Sequence, residues 1–319
     1  MNTQKLRTGL AAARSFLFVP GDRPGRFVRA EESGADVVVF DLEDAVGSSS
    51  KEDALAHVAA HLQQPEGLPA RIVRINDPGT ARGLDDLAAL AVVEASFGVM
   101  VPKATPESVS RARDLAGSLV VPLIETAEGV LAAADVAASA DVVRLAFGAQ
   151  DLAAQLGLDP EQRERLGPAR FALTAASAAA GLPRPVDGPC VRLRDHICLQ
   201  TDVVSALADG FSALLCLHPD QIPVVHASLA PAPADLAWAR RVLEADGDGV
   251  AVVDGTMVDA PIRRRAAELV ARAGSNLRRC SPHFSSSAGQ QPMSTFGPGS
   301  NSHTRETAGA RICLQSVRD

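Results

Sequence analysis

The chain has 319 residues, 46% of them hydrophobic and 22% charged, with a formal net charge of -7. That acidic balance argues against nucleic acid as the main partner, and no uninterrupted apolar run approaches the ~20 residues of a membrane-spanning helix. Met1 to Arg14 is short and polar and ends in a basic residue, without the apolar segment and cleavage site of a secretion signal, so the expected compartment is the cytoplasm.

Short apolar runs then follow one another along the chain, each ending in a polar residue or a turn. Phe16 to Val19 leads into Pro20-Gly21, Val37 to Phe40 into Asp41 and Glu43, Ile72-Val73 into Arg74 and Asn76, and Val99 to Val101 into Lys103. Val120 to Ile124 leads into Glu125, Val142 to Phe147 into Gln150 and Asp151, Pro185-Val186 into Asp187, and Leu214 to Leu217 into His218. The runs lack the apolar-polar alternation of a sheet with one wet face, so they read as strands buried on both faces. Alanine-rich segments of helical length separate them. One opens at Thr105-Pro106-Glu107, where Thr can cap, Pro suits the first helical position and Glu favours the positive helix end.

About eight strand-helix units predict a (β/α)8 TIM barrel, whose chemistry sits where the strands end. A doubly wound open sheet is the competing fold, but the first strand is not followed by a Gly-x-Gly-x-x-Gly turn. The expected organisation is a barrel over residues 1–230, a C-terminal lid or extension over 231–274 and a disordered tail over 275–319. The extension carries an amphipathic helix around Leu236, Trp238, Ala239 and Val242, followed by Val250 to Val253 and Asp254-Gly255-Thr256-Met257-Val258-Asp259-Ala260-Pro261. The tail is dominated by Ser, Gly, Pro and Gln and cannot bury enough apolar area to offset chain entropy. Five cysteines, Cys190, Cys198, Cys216, Cys280 and Cys313, form no tight metal-type pair; they read as reduced thiols, with neither a disulfide framework nor a zinc site.

Two carboxylates carry the sharpest chemical signal. Glu125 and Asp151 end consecutive strands, so a barrel would bring them within reach of one ion. Carboxylate oxygens with room for water and substrate oxygens suit Mg2+ acting as a Lewis acid. The alternative is that each acid caps a following helix or pairs with an arginine. Arg71 and Arg74 are expected to share a strand face, with Arg74 nearer the end and able to grip a carboxylate in two places. Asp41 and Glu43, two apart, face one way and are expected to orient Arg74 or metal-bound water, since four direct carboxylates would overcharge a Mg2+ site. On residue chemistry alone Asp259 reads as a helix N-cap before Pro261.

Eight phrases occur in one order: Arg-Ser-Phe-Leu-Phe-Val-Pro-Gly, Asp-Leu-Glu-Asp-Ala-Val, Val-Arg-Ile-Asn, Val-Pro-Lys-Ala, Leu-Ile-Glu-Thr-Ala-Glu-Gly, Phe-Gly-Ala-Gln-Asp-Leu, Leu-His-Pro-Asp-Gln-Ile and Met-Val-Asp-Ala-Pro. As a set, from Arg14 to Ala273, they resemble the citrate lyase beta subunit and malyl-CoA lyase family. The resemblance implies a Mg2+-dependent carbon-carbon lyase on a TIM barrel, assembled as homotrimers or hexamers, cleaving 3-hydroxyacyl thioesters of citramalyl, malyl or citryl type to acetyl-CoA, or an acyl-carrier equivalent, plus a 2-oxo acid.

On matching positions it implies Glu125 and Asp151 as metal ligands, Arg74 as the oxo-acid clamp, and Phe18, Arg23 and Arg29 as contacts of coenzyme A. It also makes Asp259 a catalytic acid that the lid places over a neighbouring subunit's site. Departures are Gln150, where many relatives carry Glu, Asp254 before Gly255, and the segments around Pro189-Cys190 and Ile197-Cys198. Three alternatives stand beside this reading: a citrate lyase beta subunit working on citryl-acyl-carrier protein in a complex, a class II aldolase acting on free hydroxy-oxo acids, and a non-catalytic scaffold.

Overall fold

The computed structural model describes residues 3–64, 69–245 and 250–277. Eight parallel strands close into a barrel in sequence order: β1 Ser15–Pro20, β2 Val37–Asp41, β3 Ala70–Arg74, β4 Gly98–Val101, β5 Leu119–Ile124, β6 Ala146–Phe147, β7 Val186–Asp187 and β8 Ala213–Cys216. β1 pairs with both β2 and β8, so the sheet has no free edge and the open doubly wound alternative is excluded.

The helices around and after the barrel are α1 Thr3–Ala12, α2 Phe27–Glu31, α3 Lys51–Leu62, α4 Ala81–Ala91, α5 Pro106–Ala116, α6 Ala127–Leu131, α7 Ala133–Ala138, α8 Ala149–Leu156, α9 Gly167–Ala179, α10 His196–Ala208 and α11 Gln221–Leu229. α5 begins as its sequence dictates: the Thr105 hydroxyl accepts from the Ser108 amide, the Ser108 hydroxyl accepts from the Thr105 amide, and Pro106 occupies the first turn.

Two cores divide the strand residues by phase. Phe16, Val37, Val39, Ala70, Ile72, Met100, Leu119, Val121 and Leu123 fill the barrel interior. Leu17, Val19, Val38, Phe40, Val73, Val99, Val101, Val120 and Ile124 pack outward against the helices. The period of two along each strand makes this division. Leu6 and Leu10 of α1 belong to the interior core and close the barrel at the starts of the strands.

β6 is shorter than its apolar run. Val142 makes an isolated bridge to Val120 and the regular strand begins only at Ala146. Between them Arg144, 1% exposed, donates to the carbonyls of Ala13 at 2.6 Å and Arg184 at 2.6 Å and to the Ser212 hydroxyl at 2.8 Å. A buried guanidinium must have its donors met, and here it ties the bottom of the barrel to the chain after α1.

Beyond the barrel come α12 Pro233–Glu244, β9 Ala251–Val253, β10 Thr256–Val258 and α13 Ala260–Leu277. They share a small core of Ala239, Val242, Val258 and Ala266. β9 and β10 form a hairpin whose two turn residues, Asp254 and Gly255, have φ of 53° and 76°. Positive φ at both positions is what a tight type I′ hairpin requires, and Asp-Gly supplies it. This accounts for Asp254, which also pairs with Arg241 at 2.7 Å. α13 runs on through Leu277 and so takes in the first three residues of the tail expected over 275–319; the remainder of the tail, with Cys280 and Cys313, lies outside the described residues. No helix among the described residues is long and apolar enough to cross a membrane.

Candidate active site

The site forms where interior-phase residues reach the ends of the strands. Continuing each strand's inward phase by two residues takes Phe16 to Phe18, Val39 to Asp41, Ile72 to Arg74 and Leu123 to Glu125. Asp41 and Arg74 are register partners on β2 and β3, so their side chains leave the sheet side by side. Arg74 donates from Nε to Asp41 Oδ1 at 2.7 Å and from Nη2 to Asp41 Oδ2 at 2.6 Å, a bidentate pair in which Asp41 is 1% exposed. Burial works against the guanidinium's charge, but the hydrogen bonds and charge of Asp41 outweigh it and hold Arg74 firmly protonated. The Phe18 ring lies 4.8 Å from Arg74 Cζ and covers one face of the guanidinium.

Arg71 does not share that face. Residues three apart on a strand point to opposite sides, and Arg71 turns outward to donate to Glu31 of α2 at 2.6 Å. It is a bolt between sheet and helix.

Asp41 and Glu43 do converge on Arg74. Arg74 Nη1 is 3.1 Å from Glu43 Oε2, and Lys103 donates from Nζ to Glu43 Oε1 at 2.6 Å. Burial raises the Glu43 pKa above the ordinary carboxylate value, while Arg74 and the Lys103 hydrogen bond pull it back. Glu43 Oε2 is buried yet accepts no hydrogen bond.

Glu125 is 2% exposed, and its Oε1 accepts from the Lys103 backbone amide at 2.8 Å. Burial first, then the charge of Glu43, pushes its pKa up to about 8 against that amide bond; Asp151, which hydrogen-bonds to Glu125, pushes the same way. Asp151 stands in the exposed first turn of α8. Gly148 lets the two carboxylates meet: a Cβ there would lie 2.4 Å from Glu125 Cβ and 2.5 Å from Glu125 Oε2.

Lys103 joins the two halves of the site, and the sequence reading missed its role. Its ammonium holds Glu43 while its amide holds Glu125, from a backbone at φ 48°, uncommon for a residue with a side chain. The available signal was its place in chain order, at the end of β4 between the strands that carry Arg74 and Glu125.

Other polar strand ends go elsewhere. Asp187 is outward in phase and bonds to Arg163 at 2.8 Å and to Arg170 of α9. Asn76 is held by Asp86 of α4, which accepts from its side chain at 2.7 Å. Asp259 accepts from the Ile262 amide at 3.2 Å, the N-cap its sequence suggested, and among the described residues makes no bond to the carboxylate cluster. Gln150 faces a side cavity shared with Arg163 and Asp187 rather than Glu125.

A groove of about 370 Å3 opens beside the site, lined by Phe18, Arg26, Arg29, Leu217 and His218 among others. Phe18 and Arg29 are thus brought together. Arg23 is not on the groove wall; it is largely exposed, with Nε 3.6 Å from Asp22. Arg26, which sequence reading passed over, is.

The donor set of Glu125 and Asp151, with Glu43 behind them, is all hard oxygen. A carboxyl raised to about 8 by burial and by the charges of neighbouring carboxylates is what an anionic cluster shows when a cation would relieve it. The residues therefore fit a Mg2+-type ion.

The sequence model of the HpcH/HpaI aldolase/citrate lyase family matches residues 14–219. The chain is 39% identical over 272 residues to a citrate lyase subunit beta-like protein of Mycobacterium tuberculosis, spanning 83% of this chain and 97% of that one. It is 35% identical over 267 residues to a (3S)-malyl-CoA thioesterase of Cereibacter sphaeroides, spanning 77% and 89%. Its fold is similar to CitE from Mycobacterium tuberculosis solved with magnesium, acetoacetate and coenzyme A, with a TM-score of 0.73, 38% identity, and 83% and 99% of the two chains covered. On the family match, the closed barrel and the extent of these identities, the chain belongs to the HpcH/HpaI aldolase/citrate lyase family of carbon-carbon lyases.

Proposed function

We propose that this protein is a Mg2+-dependent lyase that cleaves a 3-hydroxyacyl-CoA thioester into an acyl-CoA and a 2-oxo acid. The observation that carries the reading is the buried Glu125, paired with Asp151 at the strand ends that also carry Arg74, whose guanidinium is covered by Phe18 of a groove bearing Arg26 and Arg29. Glu125 and Asp151 would hold the ion, and Mg2+ when bound supplies a Lewis acid for the oxygens of the substrate. The relative solved with magnesium and coenzyme A supports both the metal and the thioester.

This chain's residues then divide the work. Arg74, fixed by Asp41 through Nε and Nη2, would turn Nη1 from its present contact with Glu43 at 3.1 Å to the carboxylate of the departing oxo acid. Lys103 keeps Glu43 and Glu125 in register, and Phe18 covers the guanidinium so that water does not compete for it. In the cleavage step the hydroxyl proton passes to solvent water, its oxygen becomes the carbonyl of the oxo acid, and the carbon-carbon bond electrons pass to the α-carbon of the thioester. Asp259 returns a proton to that carbon.

Within one chain Asp259 caps α13, and α13 is fastened by Glu268 to Arg184 at 2.6 Å and by Arg272 to the Leu229 carbonyl at 2.6 Å. Both anchor points lie toward the starts of the strands, away from the carboxylates. The acid is therefore assigned to a neighbouring copy's site, in the trimer or hexamer that the resemblance implies.

The test is mass-spectrometric product analysis with malyl, methylmalyl, citramalyl and citryl thioesters, with and without Mg2+. An acyl-CoA and a 2-oxo acid, formed only with Mg2+, are expected from at least one. No cleavage of any, with oxo-acid binding intact, overturns the assignment. A second reading, hydrolysis, is favoured by the 35% identity to a malyl-CoA thioesterase. It would yield free CoA with the hydroxy acid intact, and the same spectra separate the two.

A further inference from the structure

Two cysteines that lie eight apart in sequence, in segments unlike the family pattern, meet in space. Cys190 follows β7 and is buried; Cys198 lies in the first turn of α10; their sulfurs are 3.7 Å apart. Asp202 stands four residues beyond Cys198, one turn along the same face of α10. The two sulfurs and an Asp202 carboxylate oxygen all lie within 4.8 Å of one another. They border a cavity of about 210 Å3 that reaches Gln150 and Arg163 and provides a way in.

We propose that Cys190, Cys198 and Asp202 form a binding site for a thiophilic divalent cation of the zinc class, separate from the oxygen site at Glu125 and Asp151. Two thiolates on one tetrahedral zinc, at Zn-S of about 2.3 Å, stand about 3.8 Å apart, which the observed sulfur separation already matches. A helix offering ligands at i and i+4, completed by a loop residue, is a compact way to arrange three donors. All three residues line the cavity, from which water would complete the coordination. Thiolates are soft donors, so this set selects against Mg2+ as surely as the all-carboxylate set selects for it.

Charge is compensated in place: Arg163 lies 3.4 Å from Asp202 Oδ1 and also holds Asp187, which steadies the carboxylate without using both its oxygens. The expectation of ordinary thiols came from sequence spacing, which does not show that α10 folds back against the loop after β7. The site also has a consequence for the catalytic end. Gly188, two residues before Cys190, lies against Ala149 at the start of α8, so an ion here braces the helix that carries Asp151.

The experiment titrates the reduced, metal-free full-length protein with Co2+ in excess Mg2+, reading thiolate-to-cobalt charge transfer and tetrahedral d-d bands, then back-titrates with Zn2+. Binding of one Co2+ per chain with release of two protons, and its displacement by Zn2+ with no further release, are expected. The Cys280→Ser/Cys313→Ser variant should behave as wild type, as should Cys216→Ser. Cys190→Ser and Cys198→Ser should each lower affinity by at least about 100-fold, more than the loss of a mere supporting contact. Asp202→Asn should weaken binding with the charge-transfer band retained. Cobalt bound without the band, or a band that survives in Cys190→Ser/Cys198→Ser, overturns the proposal. A Cys190–Cys198 disulfide that, once reduced, takes up no cobalt also overturns it.

Discussion

Glu125→Gln should make the metal-free protein more stable while abolishing its response to Mg2+. Glu125 has its pKa raised from 4.5 to about 8. A raised carboxyl contributes stability that is fully present below about pH 4.5 and is lost as pH rises through about 8. At about 1.4 kcal/mol per unit, the loss from this group is about 3 kcal/mol at pH 7 and reaches about 5 kcal/mol above pH 8.

Gln carries no charge, keeps an oxygen for the Lys103 amide and offers its NH2 to Asp151, so it fits the same pocket. The variant's advantage in EDTA should therefore be small near pH 5 and grow toward pH 8; the gain of about 3 kcal/mol at pH 7 raises the melting temperature by roughly 6–12 °C. Mg2+ at 100 times its dissociation constant should add about 2.7 kcal/mol to the wild type and nothing to the variant. The assay is thermal melting across pH 5–8 with EDTA or Mg2+. A variant less stable than wild type at every pH, or equally stabilised by Mg2+, would refute the picture of a buried carboxyl that keeps its proton until a cation replaces it.

Gly148→Ala should fold but lose roughly 100-fold in Mg2+-dependent activity, because its Cβ would displace Glu125 by an ångström or more; calorimetric Mg2+ titration checks it. Arg74→Met strands the buried Asp41 and should cost about 3–5 kcal/mol in urea unfolding, with part recovered by adding Asp41→Asn. Arg26→Ala should raise KM for a CoA thioester more than Arg23→Ala does, since only Arg26 lines the groove. Asp259→Asn should suppress turnover with Mg2+ and oxo-acid binding kept; Asn remains a good cap, so melting should hardly move. Mixing Asp259→Asn and Arg74→Met chains under exchange should restore some activity if the acid comes from another copy.

The barrel was legible because strands buried on both faces carry an unbroken apolar run, and all eight runs coincide with strands. β6 departs most, because its run hides Arg144, whose partners come from chain segments more than 100 residues earlier as well as from the residues just before β7 and β8. The Asp254-Gly255 turn was written plainly in local chemistry, yet it reads as an anomaly until the positive φ values of both residues are seen. Cys190 and Cys198 show the converse: their meeting depends on how a loop and a helix fold together, information that no spacing rule contains.

Which polar strand ends form the site is decided by phase rather than by polarity. Counting by twos from the interior residues selects Phe18, Asp41, Arg74 and Glu125 and rejects Arg71 and Asp187, although all are charged or aromatic residues within a step or two of a strand end. The same count is available in the sequence, and applied to Arg71 it puts that residue on the outer face. It could not have found Lys103, whose contribution to Glu125 comes from its backbone amide and whose φ of 48° breaks the alternation at that point. Nor could it find Asp259, which lies on no barrel strand and acts, in the proposed reaction, where a second copy brings it. Periodicity thus predicts those members of an active site that ride on regular strands, and misses those that depend on a backbone irregularity or on assembly.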